Sequence, residues 1–269
     1  MALFTSGLKK MQNELANSVV DWDKLEALSS GRYDLSGKNS NEGRQLIITL
    51  VKKAAESSGD NRHLAQIFRN ISSRGGDFNR SINPTGITPL HLASGLTDSF
   101  LLKSLLQAGV QPASTTVSGA TALHSAVSAG RAENVKLLLA AGADPGAEDT
   151  NSNAPLHFSV QLADPVAIVE LLLAAGAKAY HRNSQQKTSV DIAKEEGHVA
   201  CLELLSESLR NLRRNCNRKW NCPDCGGQIK RPPKHKVEWF ISLDMWDHLQ
   251  FTCGECGSVT SATVLDGEI

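Results

Sequence analysis

The sequence predicts a mainly α-helical repeat solenoid followed by a small β module held by a metal ion, and three observations carry that prediction. One pattern recurs at a fixed interval: Thr88-Pro89-Leu90-His91, Thr121-Ala122-Leu123-His124 and Ala154-Pro155-Leu156-His157 begin 33 residues apart. Each copy closes with a Leu-rich run ended by glycine, at Gly109, Gly142 and Gly176. The tail carries two Cys-x-x-Cys-Gly pairs, Cys222-Pro223-Asp224-Cys225-Gly226 and Cys253-Gly254-Glu255-Cys256-Gly257. A period of this size marks stacked supersecondary units, because one unit alone cannot bury its apolar side.

Within a copy the elements follow from local chemistry. Thr88 is a good helix N-cap, and Pro89 sits at the first helical position, where a missing backbone donor costs nothing. The small residues Ala93, Ser94 and Gly95 let a second helix, roughly Ser99 to Gln107, lie close against the first. Gly109 then ends that helix in a left-handed turn. The three tetrads, with Ala126 to Gly130, Leu137 to Gly142 and Leu171 to Gly176, resemble the ankyrin-repeat family. A fourth copy, Thr188-Ser189-Val190-Asp191 followed by Gly197 and Leu202 to Leu205, has Asp191 where the others have histidine, as terminal copies often do.

Towards the amino terminus the signature fades while the register persists. Leu46, Ile47, Leu50 and Val51 predict one helix and Leu64, Ile67, Phe68 and Ile71 another, closed by Gly75-Gly76; Gly76 to Gly109 is again 33 residues. Before that, Leu8, Met11, Leu15 and Val19 keep helical spacing, Asp23 is placed to cap a helix carrying Leu25 and Leu28, and Ser36 to Gly43 reads as a loop. The expected organisation is a degenerate helical cap over 1–42, an ankyrin-type array over 43–208, a basic helical linker over 209–216 and a zinc-ribbon-like domain over 217–269. The stripe of Leu202, Leu205, Leu209 and Leu212 carries the last helix to about Arg214.

Two cysteines three apart on a tight turn can offer both sulfurs to one ion, and four thiolates favour tetrahedral zinc. The pairs resemble zinc-ribbon or rubredoxin-like knuckles, which implies one structural Zn2+ on Cys222, Cys225, Cys253 and Cys256, with iron as the rival metal. Short strands are expected at Val237 to Leu243, Leu249 to Thr252 and Ser258 to Val264. So small a module cannot bury much, so metal should supply a large share of its folding free energy. Cys201 reads as a core residue, and Cys216 as a free thiol rather than a ligand. A dithiol redox role for Cys222 and Cys225 lacks the usual βαβ setting.

Composition sets the remaining bounds. Lys plus Arg and Asp plus Glu both number 28, and the chain is 41% hydrophobic but only 5% aromatic, so small aliphatic side chains must do most of the packing. Charge is informative only locally: residues 209–236 are strongly basic, whereas 237–269 hold acids and no Lys or Arg. No secretory signal is evident, and no window approaches the roughly 18 to 20 apolar residues needed to span a bilayer. The paired cysteines fit a reducing compartment, so a cytoplasmic location, or a nuclear one in a eukaryote, and a monomer without membrane contact are expected.

Phosphate-loop, nucleophile-elbow and His-Glu-x-x-His motifs are absent from the sequence, which therefore reads as a non-enzyme. His91, His124 and His157 are expected to bond backbone and fix turns rather than hold metal. The ankyrin resemblance implies a protein-binding scaffold whose variable positions are Thr85, Ile87, Val117, Ser118, Ala120, Thr150, Asn151 and Asn153 on loops, with Leu96, Ala129, Gln161 and Leu162 on first helices. The alternative is nucleic-acid binding by the tail, through Arg213, Arg214, Arg218, Lys219, Lys230 and Arg231, with Trp220 or Trp239 stacking on bases.

Overall fold

The computed structural model describes residues 2–17, 20–31, 35, 40–56, 63–215, 250–252 and 259–261. The described fold is mainly helical and divides into two compact units, Met1–Thr150 and Asn151–Ile269.

The first unit holds α1 (Ala2–Leu15), α2 (Trp22–Ser29), α3 (Ser40–Glu56), α4 (Leu64–Ser72), α5 (Pro89–Gly95), α6 (Phe100–Gln107), α7 (Ala122–Ser128) and α8 (Ala132–Ala140). Helix α1 pairs with α2, α5 with α6 and α7 with α8, and successive layers stack. Helix α1 packs on α3, α3 on α5 and α5 on α7, while α2 packs on α4 and α4 on α6. Leu8, Met11 and Leu15 of α1, Leu25 of α2, Leu46, Ile47, Leu50 and Val51 of α3, and Leu64, Ile67, Phe68 and Ile71 of α4 are buried as expected, whereas Leu28 is half-buried and Val19 lies outside the described residues. Each fully buried Leu or Ile contributes about 1.5–3 kcal/mol relative to exposure.

Two helix starts differ from expectation. The N-cap of α2 is Asp21, whose Oδ1 accepts from the Lys24 amide at 3.0 Å, and Asp23 instead lies in the first turn. An acid there is favoured by the helix dipole. The stretch read as a loop to Gly43 is already helical from Ser40, with Glu42 supplying the same electrostatic help in the first turn of α3.

The second unit holds α9 (Pro155–Ser159), α10 (Val166–Ala174), α11 (Ser189–Glu195), α12 (Val199–Asn215) and the strands β1 (Gln250–Thr252) and β2 (Val259–Ser261). Helix α9 packs on α10 and α11, and α12 on both α10 and α11. Helix α12 ends within a residue of the expected Arg214. Cys201 is fully buried on α12, where burial and then Asp164 push its thiol pKa up, as suits a core residue rather than a reactive one. The strands pair antiparallel, Gln250 opposite Ser261 and Thr252 opposite Val259, in two of the segments where strands are expected. Cys216, Cys222, Cys225, Cys253, Cys256, Trp220, Trp239 and the strand expected at 237–243 lie outside the described residues.

Helix endings repeat with the sequence period. After α4 the Gly76 amide donates to the Ile71 carbonyl and the Gly75 amide to Ser72; after α6, Val110 donates to Leu105 and Gly109 to Leu106; after α8, Ala143 donates to Leu138 and Gly142 to Leu139; after α10, Ala177 donates to Leu172 and Gly176 to Leu173. These are paired Schellman bonds, and Gly75, Gly109, Gly142 and Gly176 take the positive φ that the motif requires.

Candidate functional site

The recurring histidines organise the loops that precede the first helices. The Thr88 amide donates to His91 Nδ1 at 3.3 Å, the Thr121 amide to His124 Nδ1 at 3.1 Å and the Ala154 amide to His157 Nδ1 at 3.1 Å. Accepting that proton fixes the neutral tautomer, with hydrogen on Nε2. His91 Nε2 then donates to the Ala120 carbonyl at 3.0 Å, and His157 Nε2 to the His181 carbonyl at 3.1 Å. All three rings close their own helix starts, and His91 and His157 also grip the loop of the following copy. Burial, helped by His124, pushes the His91 pKa below the usual imidazole value, and burial with His181 does the same to His157.

Asp191 performs only the first of these tasks. Its Oδ2 accepts from the Thr188 amide at 3.1 Å and the Thr188 hydroxyl at 2.8 Å, and the Thr188 Oγ1 accepts from the Asp191 amide at 3.2 Å. Burial acts to raise its pKa, but these bonds, with Lys194 and Arg182, outweigh it and hold the carboxyl below its ordinary value.

The loop tips are joined by backbone bonds. The Val117 amide donates to the Thr85 carbonyl at 3.0 Å, and the Thr150 amide to the Ser118 carbonyl at 2.9 Å; in the second unit the Ser184 amide donates to the Asn151 carbonyl at 2.9 Å. Side chains inside the loops brace them: Asn83 Oδ1 accepts from the Ile87 amide, Thr116 Oγ1 from the Ala120 amide, and Asn183 Oδ1 from the Gln185 and Lys187 amides. With its backbone polar groups used internally, a tip can offer a partner mainly its side chains.

The sequence-derived surface positions fall into two groups. Thr85, Val117, Ser118, Thr150, Asn151 and Gln161 are exposed, Val117 to 74%, whereas Ile87, Leu96, Ala120, Ala129, Asn153 and Leu162 are half-buried. Leu96, Ala129, Gln161 and Leu162 do not lie within the first helices but at or just past their ends, because α5, α7 and α9 are only seven, seven and five residues long. Sequence reading missed Asn134. This buried residue of α8 donates from Nδ2 to the Ser94 carbonyl at 3.0 Å and the Leu96 carbonyl at 2.9 Å, fixing where Leu96 sits. A polar residue in the Leu-rich run, at the position of apolar Ile168 in the next copy, is the signal that could have found it.

Arg213 and Arg214 fall on the last turn of α12, while Arg218, Lys219, Lys230 and Arg231 lie outside the described residues. Among the described residues no cluster of three His, Cys, Asp or Glu is placed to hold a metal ion, and no helix is long and apolar enough to cross a membrane.

Residues 52–149 match the family model for ankyrin repeats in three copies. The matched span starts at Lys52, near the end of α3, and ends at the loop after α8, so it reaches back past the first tetrad to take in α4, which lacks that signature. Helix pairing, the histidine bonds and the family match agree that the chain carries ankyrin repeats over residues 52–149.

Proposed function

We propose that this chain is a non-enzymatic adaptor that captures a protein partner on the side chains of its loop tips and first-helix ends. Ankyrin repeats are protein-interaction modules, and the observation that carries the reading is the joining of the loop tips by backbone bonds. Those bonds leave Thr85, Val117, Ser118 and Thr150 exposed beside one another in the first unit. Val117, an apolar side chain held in water at 74% exposure, is the contact most expected to gain from a partner. The test is a binding titration between the full chain and a partner recovered by affinity capture. Val117→Asp weakens that complex by about tenfold, or about 1.4 kcal/mol; an unchanged affinity for Val117→Asp together with Ser118→Lys would refute the reading.

A second reading concerns the tail. Cys222, Cys225, Cys253 and Cys256 would hold one structural zinc; the donor set and its spacing support this, and the antiparallel pairing of β1 with β2 brackets the segment that contains Cys253 and Cys256. Elemental analysis of the full chain then finds about one zinc per molecule. Cys225→Ser releases it while the helical circular-dichroism signal is kept. Nucleic-acid binding through Arg213, Arg214, Lys230 and Arg231 is the competing use of the tail, and it would appear as affinity for labelled DNA or RNA that falls steeply with salt.

A further inference from the structure

A groove of about 280 Å³ opens in the second unit, outside the residues matched as ankyrin repeats. Its lining is dominated by side-chain amides: Asn151, Asn153, Gln161, Asn183 and Gln185. Asn183, 6% exposed, is the structural member, because its Oδ1 accepts from the Gln185 and Lys187 amides and its Nδ2 donates to Asn153 Oδ1 at 2.9 Å. Gln161 and Gln185 are different. Both are exposed, and their side-chain amides make no hydrogen bond among the described residues.

A primary amide offers one acceptor and two donors in a plane, and an extended peptide offers the complementary carbonyl and N–H at each residue. The charge of the groove adds a second condition. Lys187 is neutralised by Glu195 at 2.7 Å, whereas the exposed Glu196 has no ion-pair partner among the described residues, so the lining carries one uncompensated negative charge. That charge repels a phosphate backbone and attracts a cationic side chain. The volume also falls just short of the roughly 300–1,000 Å³ typical of small-molecule sites, and those are mostly apolar.

Backbone strain collects at the same place. Ser152, with φ of 54°, and Gln186, with φ of 60°, are the non-glycine residues of positive φ among the described residues. Each is flanked on both sides by residues of the groove: Asn151 and Asn153, and Gln185 and Lys187. Strained conformations persist where surrounding structure over-determines them, and binding sites are where they concentrate.

We propose that this groove binds an extended peptide segment carrying a lysine or arginine, with Gln161 and Gln185 pairing to its main chain and Glu196 receiving the cation. The proposal rests on the adaptor reading to the extent that it takes the ligand to be a protein. To test it, the full chain is used to select from a displayed library of randomised linear peptides, and selected peptides are synthesised and titrated by fluorescence anisotropy. The expected result is enrichment of Lys or Arg at one fixed position, with binding weakened about tenfold by Glu196→Lys and again by Gln161→Ala with Gln185→Ala. Exchanging the peptide's basic residue for Glu should restore binding to Glu196→Lys. These substitutions are at exposed positions, and an unchanged helical signal confirms that each variant folds.

Retention of no peptide, selection without a basic residue, indifference to Glu196→Lys, or displacement of the peptide by labelled single-stranded RNA would each overturn the proposal. Lys136→Ala, an exposed substitution on α8 of the other unit, leaves peptide binding at the groove unchanged. If peptide binding fails while capture of a protein partner stays sensitive to Val117→Asp, the groove assignment falls and the adaptor reading stands. If both fail, the adaptor reading falls with it.

Discussion

The loop tips of the two units solve one backbone problem with different residues. At corresponding places in the period the first unit has Gly86 and Gly119, with φ of 82° and 75°, and the second has Ser152 and Gln186 in the same left-handed region. In the first unit glycine is required twice over. A Cβ at Gly86 would meet the Val117 amide nitrogen at 2.9 Å, and one at Gly119 would meet the Thr150 nitrogen at 3.0 Å, both rigid backbone atoms in the neighbouring loop. The first unit thus meets the left-handed requirement with glycine, while the second meets it with residues that carry side chains and their strain. Gly119→Val breaks the contrast most severely: left-handed strain and the backbone clash together should cost about 3 kcal/mol in a urea titration. Ser152→Val, where the strain already exists, should cost about 1 kcal/mol.

The same comparison runs through the tetrads. His91 joins two copies, because its Nδ1 serves its own helix and its Nε2 serves the Ala120 carbonyl beyond it; Asp191 serves only Thr188. His91→Ala should therefore destabilise by about 2–3 kcal/mol, since two buried bonds are lost and their partners stranded. Asp191→Ala should lose about 1 kcal/mol, the ordinary value of a helix cap. The two residues also respond differently to acid. His91 and His157 have folded-state pKa values below the ordinary 6.5, so their contribution is complete above that pH. It is lost as pH falls through the lowered folded values, because the unfolded chain takes up protons that the folded one refuses. Asp191, held below its ordinary 3.8, loses its contribution only in stronger acid. Thermal midpoints should accordingly drop between pH 7 and more acidic buffer near pH 5, by less in His157→Ala; a flat profile over that range would contradict the histidine assignment.

How much of this was legible depended on whether the information is local. The period, Schellman glycines and helix pairs could be read because a cap, a stop and an apolar stripe each leave residues at fixed offsets, as at Thr88, Gly109 and Leu101, Leu102 and Leu105. The cap at Asp21 was misplaced by two residues because Asp23 is an equally good capping residue by type, and only the Lys24 amide decides between them. Long-range polar ties left no such trace. Arg74 donates from Nε to the Gly31 carbonyl at 2.8 Å and from Nη2 to the Ser30 carbonyl at 2.7 Å, joining the ends of α4 and α2 across more than forty positions of sequence. The loop-tip bonds were hidden for a related reason, since backbone donors are the same for every residue. Exposed positions such as Val117 and Asn151 could be named from the repeat, but the groove could not, because it needs Gln161, Gln185 and Glu196 to converge from separate segments.

Replacement by glycine probes the left-handed residues of the second unit in the opposite direction. If Ser152 and Gln186 are held left-handed against their preference, replacing either with glycine removes a side-chain penalty of about 1 kcal/mol, while glycine adds unfolded-state entropy that returns part of it. The net gain should be about 0.5 kcal/mol for Ser152→Gly, read as a slightly higher urea midpoint at constant slope. The entropy that glycine adds to the unfolded chain offsets much of the relief, so the gain cannot be large. A destabilised Ser152→Gly would mean that the Ser152 side chain supports the loop in a way its left-handed backbone alone does not require. A stabilised variant that binds basic peptides less tightly would instead tie the strain to the groove, since a relaxed loop no longer needs to hold Asn151 and Asn153 where the lining places them.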